Sequence, residues 1–220
     1  MVGEAAGRPV AVVASPSFPF LAVAQASEPH FAYSVLQRGM DVVLALMLIV
    51  VTLPLVILAA LAVAVTTRQW PVFVQRRVGW QGAEFPMLKL RSMRDGGETA
   101  RGFAAKTPHD ARVTAVGSVL RRTSMDELPQ LLNVLAGHMT LVGPRPGLPA
   151  EVTEYRAPWL RRLSVKPGLT GLWQVSGRSS LPLHRWMALD RVYLARRSTA
   201  MDLAILVRTV AAVVSMRGAW

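Results

Sequence analysis

Cysteine is absent from all 220 residues, which removes disulfides, thiolate metal ligands and thiol nucleophiles. Histidine is scarce too. His30, His109, His138 and His184 are far apart and show no paired metal-ligand spacing, so a zinc enzyme is not expected. Acidic residues are outnumbered, 13 against 25 basic ones, giving a formal net charge of +12 in a chain that is 52% hydrophobic. An apolar chain with a basic surface suits an anionic phospholipid membrane. Nucleic acid, the other partner for such charge, is not expected. The arginines are scattered as doublets (Arg76 and Arg77, Arg121 and Arg122, Arg161 and Arg162, Arg196 and Arg197) with no zinc-finger or RNA-recognition motif beside them. No Walker loop or dinucleotide fingerprint occurs either.

Charge is missing altogether from Val42 to Val65, a stretch long enough at about 1.5 Å per residue to cross a roughly 30 Å hydrocarbon core. Pro54 lies near its middle and removes a backbone donor, so a kink or break is expected there. Basic residues flank both ends, Arg38 before and Arg68, Arg76 and Arg77 after, whereas a spanning helix should have one basic side. The residues alone leave two readings open. Either the helix spans, or it enters, bends at Pro54 and returns, with Thr52 serving a carbonyl freed by the break. The segments read as a flexible tail over 1–32, a membrane helix over 33–68 and a cytosolic or interfacial domain over 69–220. The length allows one such domain.

Beyond the membrane stretch, Val72 to Val78 and Phe85 to Met93 flank the turn Gly79-Trp80-Gln81-Gly82, which predicts a small hairpin. A polar loop follows over Met93 to Thr107. Helices are expected over Ala111 to Arg122, Pro129 to Ala136 and Met201 to Met216. From Leu148 to Leu163 apolar residues recur at three and four positions among arginines, the pattern of an interfacial amphipathic helix or of an ordinary core helix.

Asp126 and Glu127 stand just before Pro129, which fits only a first helical turn. The pair therefore has a plain explanation as a cap and a first-turn acid, with Ser124 or Asp126 at the cap. It also has a chemical one. Adjacent carboxylates can share Mg²⁺, and an aspartate can act as a nucleophile toward phosphorus. Phosphoryl transfer further needs cations around the developing charge. Lys89, Arg91, Arg145 and Arg178 are the candidates, and Arg145 is held between Pro144 and Pro146.

The runs Asp126-Glu127-Leu128-Pro129-Gln130-Leu131, Leu141-Val142-Gly143-Pro144-Arg145-Pro146 and Lys166-Pro167-Gly168-Leu169-Thr170-Gly171-Leu172-Trp173-Gln174-Val175-Ser176-Gly177-Arg178 resemble the bacterial sugar transferase family of monotopic phosphoglycosyl transferases, in a minimal form. A looser block at Asp190-Arg191-Val192-Tyr193, Ser198, Asp202 and Thr209 is similar too. The resemblance implies a predominantly α fold with a small β-hairpin (α+β). It also implies one re-entrant helix-break-helix and interfacial amphipathic helices at the cytoplasmic face of a bacterial inner membrane. By the same resemblance Asp126 attacks the sugar-bearing phosphorus of a UDP-sugar, UMP leaves, and undecaprenyl phosphate takes the sugar phosphate from the covalent intermediate. Glu127 and Mg²⁺ support the phosphate, Lys89 and Arg145 neutralise it, Arg91 and Arg178 bind phosphate or nucleotide, and Asp190 is a further functional acid. A homodimer and downstream glycosyltransferases are the implied protein partners. The chain departs from the family pattern at Leu53, where serine is usual, and at His138, where aspartate is common.

A non-catalytic membrane scaffold for glycan-assembly enzymes is the competing reading. It expects membrane binding without UMP release.

Overall fold

The computed structural model describes residues 12–14, 22–24, 31–94, 112–177 and 181–215. The polar loop expected from Met93 falls outside them from residue 95 onward, as do Arg178 and most of the tail. Within the tail two short strands, β1 (Val12–Ala14) and β2 (Ala22–Ala24), pair antiparallel.

The fold is predominantly helical with small two-stranded sheets. Helix α1 (Phe31–Thr67) is, among the described residues, the one helix long and apolar enough to cross a membrane. It runs as one element through Pro54, where a kink or break is expected, so the chain does not break there. A proline costs a helix one donor, here the one owed to the Val50 carbonyl, and apolar helices tolerate that loss. Thr52 does not serve that carbonyl. Its hydroxyl donates to the Leu48 carbonyl at 2.7 Å, a local bond of the kind that bends helices.

The hairpin is β3 (Val72–Val78) with β4 (Glu84–Leu90), in register Val72 to Leu90 and Val78 to Glu84. The one-turn connection Trp80–Gly82 places Gln81 and Gly82 at positive φ, as its turn residues imply. Strand alternation sends Phe85, Met87 and Lys89 inward on β4, and Gln75 and Arg77 inward on β3. Arg76, by contrast, is 76% exposed and reaches Glu84 at 3.6 Å.

Helix α2 (Ala115–Arg122) starts at a Thr114 cap whose hydroxyl accepts from Gly117 N. Helix α3 (Gln130–Leu135) then leads into β5 (Thr140–Val142), which pairs in parallel with β6 (Gly168–Thr170). A Cβ on Gly168 would meet Gly143 N at 2.1 Å, so only glycine allows this approach.

The segment expected as one amphipathic helix over 148–163 is instead α4 (Pro149–Thr153), α5 (Ala157–Leu160) and a 3-10 turn (Arg161–Ser164). Pro158 explains the split: inside a longer helix it would clash with the preceding turn, whereas near the start of α5 it costs nothing. Val152, Tyr155, Leu160 and Leu163 are buried with Val78 and Met187, so the apolar stripe is core packing and not a lipid-facing surface. After α6 (Leu172–Val175), α7 (Leu183–Arg196) and α8 (Thr199–Val214) complete the body. The N-terminal part of α1 buries Ala45 with Phe85, Met87, Leu131, Val134 and Leu141. Its C-terminal part buries Ala59 and Val63 with Leu90 and Leu120.

Candidate active site

Asp126 and Glu127 lie on a single 3-10 turn, Met125–Glu127, entered through Ser124 in the left-handed conformation (φ 58°). Ser124 makes no capping bond, and α3 begins only at Gln130 with Pro129 as its N-cap, so the capping explanation for Ser124 and Asp126 does not hold. Asp126 is 8% exposed. Met125, beside it, packs on the cluster of Ala59, Val63, Leu90 and Leu120, which fixes the turn against both α1 and β4.

Lys89 comes to the site along the buried face of β4 and is 5% exposed. Its Nζ lies 3.6 Å from Glu127 Oε1, and Arg145 Nη1 lies 3.6 Å from the same oxygen. Burial pushes the Lys89 ammonium below its ordinary pKa, while Glu127 and Asp126 pull it back up; Arg145 and Arg77 add to the depression. Lys89, Arg77 and Arg145 thus share one electrostatic environment with two carboxylates, a surplus of positive charge suited to phosphate oxygens.

Buried Asn133 links α3 to the strand that carries Lys89. Its Oδ1 accepts from Leu88 N at 3.0 Å and its Nδ2 donates to the Pro86 carbonyl at 2.7 Å.

The segment carrying Arg145 is fastened at four successive carbonyls. Pro144 O accepts from Gly168 N at 2.8 Å, Arg145 O from Arg162 Nη2 at 2.7 Å, Pro146 O from Arg77 Nη1 at 3.2 Å, and Gly147 O from Val78 N at 2.9 Å. Arg145 also lies over the Trp173 ring, 6.0 Å from its centroid. The flanking prolines, read from the sequence as stiffeners, are therefore only part of the restraint.

The structure brings together Asp126, Glu127, Lys89 and Arg145. It does not bring the other candidates to Glu127. Arg91 Nε donates to the Trp70 carbonyl at 3.0 Å and the guanidinium lies over Phe73, at the foot of α1. Asp190, 2% exposed on α7, is paired with Arg162. Arg178 lies outside the described residues.

Asn133, Arg77 and Arg162 were not singled out from the sequence. For Arg77 the signal is strand alternation, which makes one arginine of the doublet face inward. For Arg162 it is the position between Leu160 and Leu163. Asn133 carried no signal beyond its place in an apolar helix.

Among the described residues no three His, Asp or Glu side chains cluster as a metal site. The Asp126 and Glu127 carboxylates still fit Mg²⁺, which takes one or two protein oxygens and completes its shell with water and phosphate. Away from the carboxylates, an apolar groove of about 550 Å³ runs between Ile57, Ala60, Leu61 and Ala64 of α1 and Arg68, Trp70 and Pro71.

The family model described as "Bacterial sugar transferase" matches residues 32–216. The exopolysaccharide production protein ExoY of Sinorhizobium fredii is 36% identical over 198 residues, covering 84% of this chain and 88% of that protein. The UDP-glucose:undecaprenyl-phosphate glucose-1-phosphate transferase of Caulobacter vibrioides is 41% identical, covering 87% and 74% respectively. The undecaprenyl-phosphate galactose phosphotransferase of Salmonella typhimurium is 38% identical over 84% of this chain and 42% of its own length.

Proposed function

We propose, for a chain that belongs to the bacterial sugar transferase family and is a sugar-phosphate transferase, that it moves a sugar 1-phosphate from a UDP-sugar to undecaprenyl phosphate and begins a glycan such as an exopolysaccharide. The observation that carries the reading is the Asp126-Glu127 turn held between buried Lys89 and the fastened Arg145.

An Asp126 carboxylate oxygen attacks the sugar-bearing phosphorus, the phosphoanhydride bond breaks, and UMP leaves with its electron pair. The acyl phosphate so formed on Asp126 carries the sugar. A phosphate oxygen of undecaprenyl phosphate then attacks that phosphorus, releasing the Asp126 carboxylate and giving a polyprenyl diphosphate sugar. Lys89 and Arg145 offset the charge on the equatorial oxygens in both displacements, and Glu127 keeps the two cations in place. Mg²⁺, held by Asp126 and Glu127, would supply further charge neutralisation between carboxylate and phosphate.

The acceptor is a lipid, and α1 is placed to meet it. Both ends of α1 pack on one body. Between Ala45 and Ala59 it has about 21 Å of helix, less than the roughly 30 Å of a hydrocarbon core. That supports a helix that enters the cytoplasmic leaflet and returns, with the bend at Pro54 and Thr52.

The test is UMP release from UDP-glucose and UDP-galactose with undecaprenyl phosphate, with Mg²⁺ and with chelator. The parent releases UMP with one of them, chelation stops it, and Asp126→Asn abolishes it. Near-normal turnover by Asp126→Asn removes the nucleophile assignment, and membrane binding with no UMP release from any UDP-sugar favours the scaffold.

A further inference from the structure

Asp190 and Arg162 form a buried ion pair with no contact to the carboxylate turn, in a protein where burying charge is costly. Packing alone would be served by apolar residues of similar volume, since Tyr155, Leu160, Leu163 and Met187 already surround the pair. The geometry of Arg162 gives the pair another task. Its Nη1 donates to the Tyr155 hydroxyl at 2.8 Å and the guanidinium stacks on that ring, while its Nη2 donates to the Arg145 carbonyl at 2.7 Å. Asp190 Oδ2 lies 2.9 Å from the same Nη2 but is not aligned for a hydrogen bond, so its hold on Arg162 is one of charge.

We propose that Asp190 and Arg162 are positioning residues for Arg145: Asp190 orients the Arg162 guanidinium, which holds the Arg145 backbone where its side chain meets Glu127 and the donor's phosphates. This rests on the reading of Arg145 as a phosphate ligand. It gives Asp190 a role without substrate contact, in keeping with a side chain that is 2% exposed. Of the four carbonyl restraints on residues 144–147, this is the one at Arg145 itself. A displacement of about 1 Å at such a group costs on the order of a hundredfold in rate.

A double-mutant cycle tests it with the full chain in nanodiscs: parent, Asp190→Asn, Arg145→Ala and the double variant. Asp190→Asn is expected to lower kcat/KM for UMP release about 10- to 100-fold in the parent and by less than about threefold when Arg145 is already alanine. Equal losses in both backgrounds overturn the proposal, because Asp190 would then act by another route. Calorimetric affinity for UDP, the part common to the donors, is measured on the same four proteins. It keeps the cycle readable when no turnover is found, an outcome that overturns the proposed function instead. Where Asp190→Asn fails to fold, Tyr155→Phe, which removes the hydroxyl that Arg162 Nη1 donates to, takes its place with the same expected non-additivity. Additive losses there overturn the proposal equally.

Discussion

Lys89 is an expensive residue to bury, and replacing it separates its chemical role from any structural one. At an effective dielectric near 20, an ion pair at 3.6 Å is worth roughly 4–5 kcal/mol in Coulomb energy. Stripping water from an ammonium costs several kcal/mol in the opposite direction. The Lys89 pKa is depressed because burial, helped by Arg145 and Arg77, opposes the pull of Glu127 and Asp126. Lys89→Met keeps the stem on the inward face beside Phe85 and Met87 and removes only the charge. Glu127 keeps Arg145 as a partner and is 29% exposed at the side chain, so it is not stranded. Stability should therefore change by less than about 1 kcal/mol, or roughly 3 °C in the melting midpoint read from tryptophan fluorescence.

Turnover should not be spared. Removing one preorganised charge from a phosphoryl-transfer site costs roughly 10²- to 10³-fold in kcat. UMP release is the assay, run beside the melt on the same detergent-solubilised protein. Turnover within threefold of the parent would refute the placement of Lys89 at the transferring phosphate. A melting point lowered by more than about 8 °C alongside the activity loss would refute it differently, by making Lys89 a structural residue.

Two further changes probe the scaffold. Asp202 is fully buried, with its carboxyl pushed up to about 6 from 3.8 mainly by desolvation. Between pH 4 and 6 the folded state keeps a proton the unfolded chain has lost, so this group costs stability as pH rises, by about 3 kcal/mol in all. Asp202→Asn should flatten that part of the melting profile between pH 4.5 and 7, and an unchanged profile would count against it. In Gly168→Ala the new Cβ would stand 2.1 Å from Gly143 N and 2.5 Å from the Thr170 carbonyl, neither of which can swing aside. About 2–3 kcal/mol of destabilisation is expected, or 5–10 °C in the melt, with loss of UMP release, and a neutral melt would refute the packing argument.

The elements that were legible in the sequence are those with a strong one-dimensional pattern. The uncharged run gave away α1, turn residues placed the hairpin to within a few positions, and Pro129 put the carboxylates next to a helix start. What was hidden depends on contacts distant in sequence. Strands β5 and β6 are three residues each and pair across 28 positions, at Thr140 with Gly168. Helix α7 buries Met187, Asp190 and Tyr193, and an aspartate on the inner face hides its periodicity. The arginine doublets looked like surface charge, yet Arg77 and Arg162 face inward and hold the Arg145 segment. At the carboxylates the residue types were readable, whereas the second set of side chains that fixes them was not.

That second set changes the meaning of α1. Its first turns carry Gln37, Arg38 and Asp41, and each side chain ends on an element leading into the site. Arg38 donates to the Val134 and Leu135 carbonyls at 2.7 and 2.8 Å, closing α3. Asp41 accepts from Leu141 N at 2.8 Å. Tyr33 and Gln37 bond Asp202, and Tyr193 reaches both Asp202 and the Val142 carbonyl at 3.0 Å. The Val142 carbonyl also accepts from Gln37 Nε2 at 3.5 Å, so Tyr193 and α1 converge on the same strand end. Val142 immediately precedes Gly143-Pro144-Arg145, and at the other end of α1 Val63 shares a cluster with Met125, the neighbour of Asp126. A helix that only moored the enzyme would need none of these bonds. The segment apolar enough to enter a membrane is also one wall of the core, so the placement of α1 and that of the carboxylate turn are set by the same contacts.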